Sequence, residues 1–132
     1  MNKFREIGRE VLRKESQAIQ QVMEMLDDEF VRAIEVIDGC IGRVVLMGVG
    51  KSGIIGKKIA STLSSVGTPS LFLHPVDSLH GDLGMLQNGD ILIIVSNSGE
   101  TEELIKILPS IKRLDVTTIV ITGNITSTLA NY

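Results

Sequence analysis

The residues best suited to chemistry in this chain are Ser96-Asn97-Ser98-Gly99-Glu100-Thr101, set between an apolar run, Ile91–Val95, and a helical pattern that begins near Glu102. A buried strand that ends where a helix begins leaves several backbone N–H groups without partners and turns the positive end of the helix dipole toward a ligand. Anions bind well at such junctions. Two serines, an asparagine and a threonine add side-chain donors, and Gly99 lets a ligand approach the backbone closely. The hexad therefore suits a phosphate cradle. It also suits an ordinary helix start, with Ser98 as N-cap and Glu102 or Glu103 complementing the dipole. The hexad alone leaves both readings open.

A second loop bears on the choice. Gly48-Val49-Gly50-Lys51-Ser52-Gly53 follows the apolar run 44–47 and precedes apolar residues at helical spacing, Ile54, Ile55, Ile59, Ala60, Leu63 and Val66. It matches G-x-G-x-x-G, but a dinucleotide site also needs an acid at the end of the second strand, about 20 residues on. That strand ends in His74, and Asp77 lies beyond Pro75. A nucleotide-hydrolysing P-loop would need its first glycine at position 45, which is Val45. What remains is a tight turn offering two glycines, the cation of Lys51 and the hydroxyl of Ser52. If the first and third strands are neighbours, this turn faces the serine hexad across one sheet edge, where open α/β sheets bind ligands. Two loops converging on one anion favour the cradle over simple capping.

The elements that must position these loops follow from periodicity. Apolar residues three or four apart over residues 4–26 predict an amphipathic helix. Asp27-Asp28 caps a second helix that runs to Gly39. Strands are expected at 44–47, 70–74, 91–95 and 117–121, the first and third apolar enough to be buried on both faces of a parallel sheet. Helices are expected from Ile54 to Gly67 and from Glu102 to about Arg113, where Pro109 should kink or shorten the second. A loop with a short helix fills 77–86, and Gly123-Asn124 opens a further loop or helix start. Strands alternating with crossovers give an α/β fold with a flavodoxin-like parallel sheet, preceded by N-terminal helices. Their long apolar stripe suits a face covered by a neighbouring subunit.

Composition sets the outer bounds. The 132 residues fit one domain. A hydrophobic fraction of 43% is high, yet no apolar run approaches the roughly 20 residues that span a bilayer. The first residues form no apolar signal core, and the single cysteine, Cys40, reads as a small buried apolar residue in a reducing compartment. A cytoplasmic location without membrane association is expected. A net charge of −3 and aromatics at 3% argue against nucleic acid, which needs basic stripes or stacking platforms.

Taken together, Gly50-Lys51-Ser52-Gly53, the hexad, and His74-Pro75 followed by His80-Gly81-Asp82-Leu83-Gly84-Met85 resemble the sugar isomerase (SIS) domain, in particular its D-arabinose 5-phosphate isomerase branch. The resemblance runs from the N-terminal helices to the last residue. It departs at Ile54, where relatives often have histidine, and at Val76-Asp77-Ser78 in place of Gly-Glu-Ala. It implies interconversion of D-arabinose 5-phosphate and D-ribulose 5-phosphate through a cis-enediol, without metal or organic cofactor. In many Gram-negative bacteria the aldose feeds synthesis of the sugar Kdo. Carried over by motif, Glu103 is the base, Lys51 and His80 are the other catalytic groups, and Ser52, Ser96, Ser98 and Thr101 hold the phosphate with Asn97 close by. Helical spacing does not choose among Glu100, Glu102 and Glu103; the resemblance makes that choice. His74 is expected to be structural or peripheral. Relatives assemble as dimers of dimers, so a homo-oligomer, dimer or tetramer, is implied. The family also uses a second histidine from a later part of the domain, and longer relatives append two CBS domains; the 132 residues are therefore expected to lack the domain's last part. The alternative reading is a phosphosugar-sensing module that keeps the serine loop without turnover, or an idle subunit kept for assembly.

Overall fold

A computed structural model describes residues 2–132. Contacts divide the chain into two compact units, one ending at Glu35 and one comprising Val36–Tyr132. In the first unit, helix α1 (Lys3–Met25) starts at Asn2, whose side chain accepts the Phe4 N–H at 3.1 Å. Helix α2 (Asp28–Asp38) is capped by Asp27, which accepts the Glu29 and Phe30 amides at 3.0 and 3.3 Å. Phe4, Leu12, Ile19 and Met23 along α1 are exposed, and none of its residues is buried. Among the described residues, no helix is long and apolar enough to cross a membrane.

The second unit is a four-stranded parallel sheet with a helical layer on each face. Strands β1 (Val44–Gly48), β2 (Ser70–Leu73), β3 (Ile91–Val95) and β4 (Thr117–Ile121) lie in the order β2-β1-β3-β4. The first and third strands are thus neighbours, as expected. Alternate residues of these central strands face opposite ways. Val45, Met47, Leu92 and Ile94 pack with Leu104, Ile107, Leu108 and Ile111 of helix α5 (Glu102–Arg113). Val44, Leu46, Ile91 and Ile93 pack with Ala60 of helix α3 (Gly50–Ser65) and with Val36 and Ile37 at the end of α2. Burial on both faces explains why these strands are continuous apolar runs. Cys40 is half-buried, its Sγ–H directed at the Gly89 carbonyl, 3.6 Å away.

Two expectations need correction. Helix α3 begins at Gly50, four residues before Ile54, because Gly50 takes φ +58° and the Gly53 N–H already bonds to the Val49 carbonyl at 3.3 Å. Lys51 and Ser52 therefore belong to the first helical turn. Strand β2 stops at Leu73, and His74 caps a short helix α4 (Pro75–Leu79) in which Pro75 starts the helix as well as ending the strand. A 3-10 turn, Asp82–Met85, follows. Helix α5 runs to Arg113, as expected, with Pro109 inside it. Pro109 is exposed while its neighbours Ile107, Leu108 and Ile111 are held against the sheet, so packing outweighs the lost backbone bond.

Two contacts fix the frame. At the amino edge of the sheet, buried Asp90 accepts from the Arg43 backbone N–H at 2.8 Å, the Arg43 Nη2 at 2.7 Å and the Gln87 N–H at 2.9 Å. Arg43 also donates to the Met85 carbonyl, tying the 3-10 turn to β1. At the carboxyl edge, Gly53 lies so close to β1 that a Cβ there would sit 2.7 Å from the Gly48 carbonyl oxygen. Only glycine allows α3 to start this near the strand.

Burial works against the Asp90 charge, but the bonds from Arg43 and from the Gln87 and Arg43 amides outweigh it and hold the carboxyl below its ordinary range. Such a group stabilises the fold above its unfolded pKa, and that contribution is lost as pH falls through the lower folded value. Asp90→Ala should lower unfolding stability by about 2–4 kcal/mol at pH 7 in urea titrations. The gap between wild type and Asp90→Asn should shrink below about pH 4; a gap independent of pH would show that charge contributes nothing. Gly53→Ala should cost about 1–3 kcal/mol, because the obstructing atom is backbone and cannot swing away.

Candidate functional site

Gly48 and Val95 are register partners at the ends of β1 and β3, so α3 and α5 set out side by side from one sheet edge, on strands about 4.8 Å apart. Both helices start without a side-chain cap: α3 at Val49 and α5 at Thr101. Each helix thus presents a positive end with free N–H groups beyond the carboxyl ends of neighbouring strands. Lys51 is exposed and Ser52 half-buried in the first turn of α3, and neither side chain is hydrogen-bonded or ion-paired among the described residues. Ile54, one step further along α3, is exposed as well.

The serine loop is built by its own side chains. Ser96 is buried at 2% exposure, and its Oγ accepts the Gly99 N–H at 3.1 Å while lying 2.8 Å from the Thr101 Oγ1. With Gly99 as donor, the Ser96 hydroxyl can pass its proton to Thr101 and leave the Thr101 hydroxyl to donate outward. Ser98 does not cap α5. Its Oγ accepts the Glu100 N–H at 3.1 Å, two residues ahead of the helix, because Gly99 at φ +66° turns the chain between them. Asn97 and Ser98 are exposed at the tip of the loop.

The three acids left open by helical spacing have different surroundings. Glu102 pairs with Lys106 at 2.5 Å across one helical turn, and that hydrogen bond and charge lower its pKa. Glu100 accepts the Thr128 N–H at 2.6 Å and the Thr128 hydroxyl at 2.8 Å, and these bonds lower its pKa too. Glu103 is half-buried and has no hydrogen bond or ion pair among the described residues.

His80 is exposed at the C-cap of α4, and α4 packs against α5. His74 has a structural role, as expected. Its Nδ1 accepts the Val76 N–H at 3.3 Å, its carbonyl accepts the Ser78 hydroxyl at 2.9 Å, and its ring meets Phe72 edge-on with centroids 6.4 Å apart. Lys51, His80 and Glu103 make no direct bond to one another. Among the described residues no cluster of three His, Cys, Asp or Glu side chains could hold a metal ion.

Sequence reasoning gave the segment 122–132 no part in the site and read it only as a further loop or helix start. It lies against the serine loop. The Gly123 N–H bonds to the Asn97 carbonyl at 3.0 Å and the Leu129 N–H to the Gly99 carbonyl at 3.1 Å. Ser127 is buried against Gly99, where a Cβ would collide with its side chain. The available signal was composition: Thr122, Asn124, Thr126, Ser127 and Thr128 are many hydroxyls and amides for an idle connection.

A family model described as the SIS domain matches residues 40–132. The chain is 49% identical over 116 residues to arabinose 5-phosphate isomerase KdsD of Pseudomonas aeruginosa, covering 88% of this chain and 36% of that protein. It is 47% identical over 122 residues to arabinose 5-phosphate isomerase GutQ of Escherichia coli K12, covering 92% and 38%. The chain thus spans well under half the length of these curated relatives. A solved Escherichia coli CFT073 protein in complex with arabinose 5-phosphate superposes with a TM-score of 0.91 at 42% identity, covering 99% of this chain and 71% of that one. With the family model matching well over half of it, the chain belongs to the SIS domain family, on the branch whose curated members are named arabinose 5-phosphate isomerases.

Proposed function

We propose that this chain forms the phosphosugar site of an aldose–ketose isomerase that interconverts D-arabinose 5-phosphate and D-ribulose 5-phosphate. The observation that carries the reading is the pair of uncapped helix starts on neighbouring strands, with Lys51, Ser52, Ser98 and Thr101 around them and the free carboxylate of Glu103 on the next residue but one after Thr101. The names of the similar isomerases supply the sugar.

In this reading the phosphate sits between the two helix starts, taking hydrogen bonds from Ser52, Ser98, Thr101 and loop amides near Asn97, with Ser96 acting through Thr101. Anchoring this remote group fixes the reacting carbons relative to Glu103. Glu103 removes the C2 proton of the open-chain aldose. The C1–C2 enediol forms as the C1 oxygen gains a proton, and return of the proton to C1 with loss of the O2 proton yields the ketose. Lys51 and His80 stabilise charge on the two oxygens and move their protons. C2 is oxidised and C1 reduced within one molecule, so no external oxidant or reductant is needed, and proton transfer with charge stabilisation suffices. The lone, non-disulfide cysteine suits work in the cytoplasm, and the exposed apolar stripe of α1 suits a homo-oligomer.

Glu103→Gln preserves shape and removes the base. In the protein incubated with D-ribulose 5-phosphate, with aldose followed by NMR, it should cut turnover by about 10²-fold or more while leaving phosphosugar affinity within a few-fold. Near-full turnover would remove Glu103 from the role of base. Binding without turnover by the wild-type chain would favour either the sensing module or a site that needs the later part of the domain. Ser98→Ala should act on binding, weakening phosphosugar affinity about tenfold with a smaller effect on the rate of the bound state.

A further inference from the structure

The loop proposed to grip phosphate exposes Asn97 and Ser98 at its tip and turns at Gly99, where φ is +66°. What holds it from outside is the segment 122–132. That segment is itself anchored: Leu129 is buried in the core beside α5, and the Tyr132 hydroxyl donates to the Leu108 carbonyl at 3.1 Å. Backbone bonds from Gly123 and Leu129 reach Asn97 and Gly99 on the loop. Glu100 closes the arrangement. Its two carboxylate oxygens take the Thr128 N–H and hydroxyl separately, the one two-point side-chain contact between segment and loop among the described residues.

We propose that Glu100 is a positioning residue: by clasping Thr128 it locks the segment 122–132 onto the serine loop and presets the loop for phosphate. The inference rests on the functional reading above for the identity of the ligand, though not for the clasp itself. An acid beside an anion site is at first sight the wrong sign, since a bare carboxylate repels phosphate. Here its negative charge faces two donors of Thr128, and it lies on the residue that joins Gly99 to the start of α5. Fixing that residue fixes the peptide planes on either side of it. A loop that is already ordered pays no ordering cost on binding.

The test compares Glu100→Ala, Glu100→Gln, Thr128→Val and the double variant Glu100→Ala/Thr128→Val, with inorganic phosphate as probe and amide hydrogen exchange as a second readout. Glu100→Ala should weaken phosphate binding about tenfold and speed exchange at Gly123 and Leu129 by a similar factor, with the amides of Leu46 and Ile93 unchanged. Glu100→Gln keeps an acceptor for the Thr128 N–H and should restore most of both. Thr128→Val should fall between, and the double variant should be no worse than Glu100→Ala, since both changes break one clasp. Tighter phosphate binding in both Glu100 variants would mean that charge repulsion outweighs positioning and would overturn the proposal. Unchanged exchange at Gly123 and Leu129 would overturn it equally. If the wild-type protein shows no phosphate binding, the functional reading fails, and the exchange comparison still decides whether the clasp exists.

Discussion

The parallel pairing of β1 with β3 is the constraint on which the rest of the second unit depends. Val44 to Gly48 and Ile91 to Val95 run in register, apolar on both faces, and each buries the other's edge along its whole length. Shifting one strand by a residue would turn Val45 and Met47 away from α5 and Val44 and Leu46 away from α3. Burial on two faces therefore fixes where both strands end. Because they end together, the chain leaves for α3 and for the serine loop from neighbouring points of one sheet edge.

Close approach then sets where α3 starts. Gly53 lets α3 rest against the Gly48 carbonyl, and Gly50 turns the chain within a single residue. Lys51 and Ser52 are thereby carried on the first turn of a rigid helix. On the neighbouring strand the same task falls to side chains: Ser96, buried, organises Gly99 and Thr101 in place of a conventional cap. The Thr101 oxygen bonds to the Ser96 hydroxyl rather than capping the helix, so α5 begins without a side-chain cap. A helix start usually satisfies its own first turn; here the local bonds are arranged so that it does not.

The three acids at the start of α5 differ in their partners. Glu100, in the loop ahead of the helix, bonds to Thr128, Glu102 on the first turn pairs with Lys106, and Glu103 has no partner among the described residues. Two of the three carboxylates thus have their charge met within the fold. The third, Glu103, has no such partner among the described residues.

Most of the fold was legible in the sequence because burial writes a local period: the apolar strands, the amphipathic spacing of α5 and the glycine turns are each contained in a few neighbouring residues. The serine hexad and the Lys51 turn could be recognised for the same reason. Helix boundaries were less legible, since Gly50 and Pro75 start helices where their types equally suggest a stop, and Pro109 is overridden by the packing of Ile107 and Ile111. The partners of the three acids, the inward turn of Ser96 and the clasp of Thr128 on Glu100 were decided only by the tertiary structure. Those contacts join residues as far as 28 positions apart, and their specificity lies in hydrogen-bond geometry that exists once the sheet has brought the segments together.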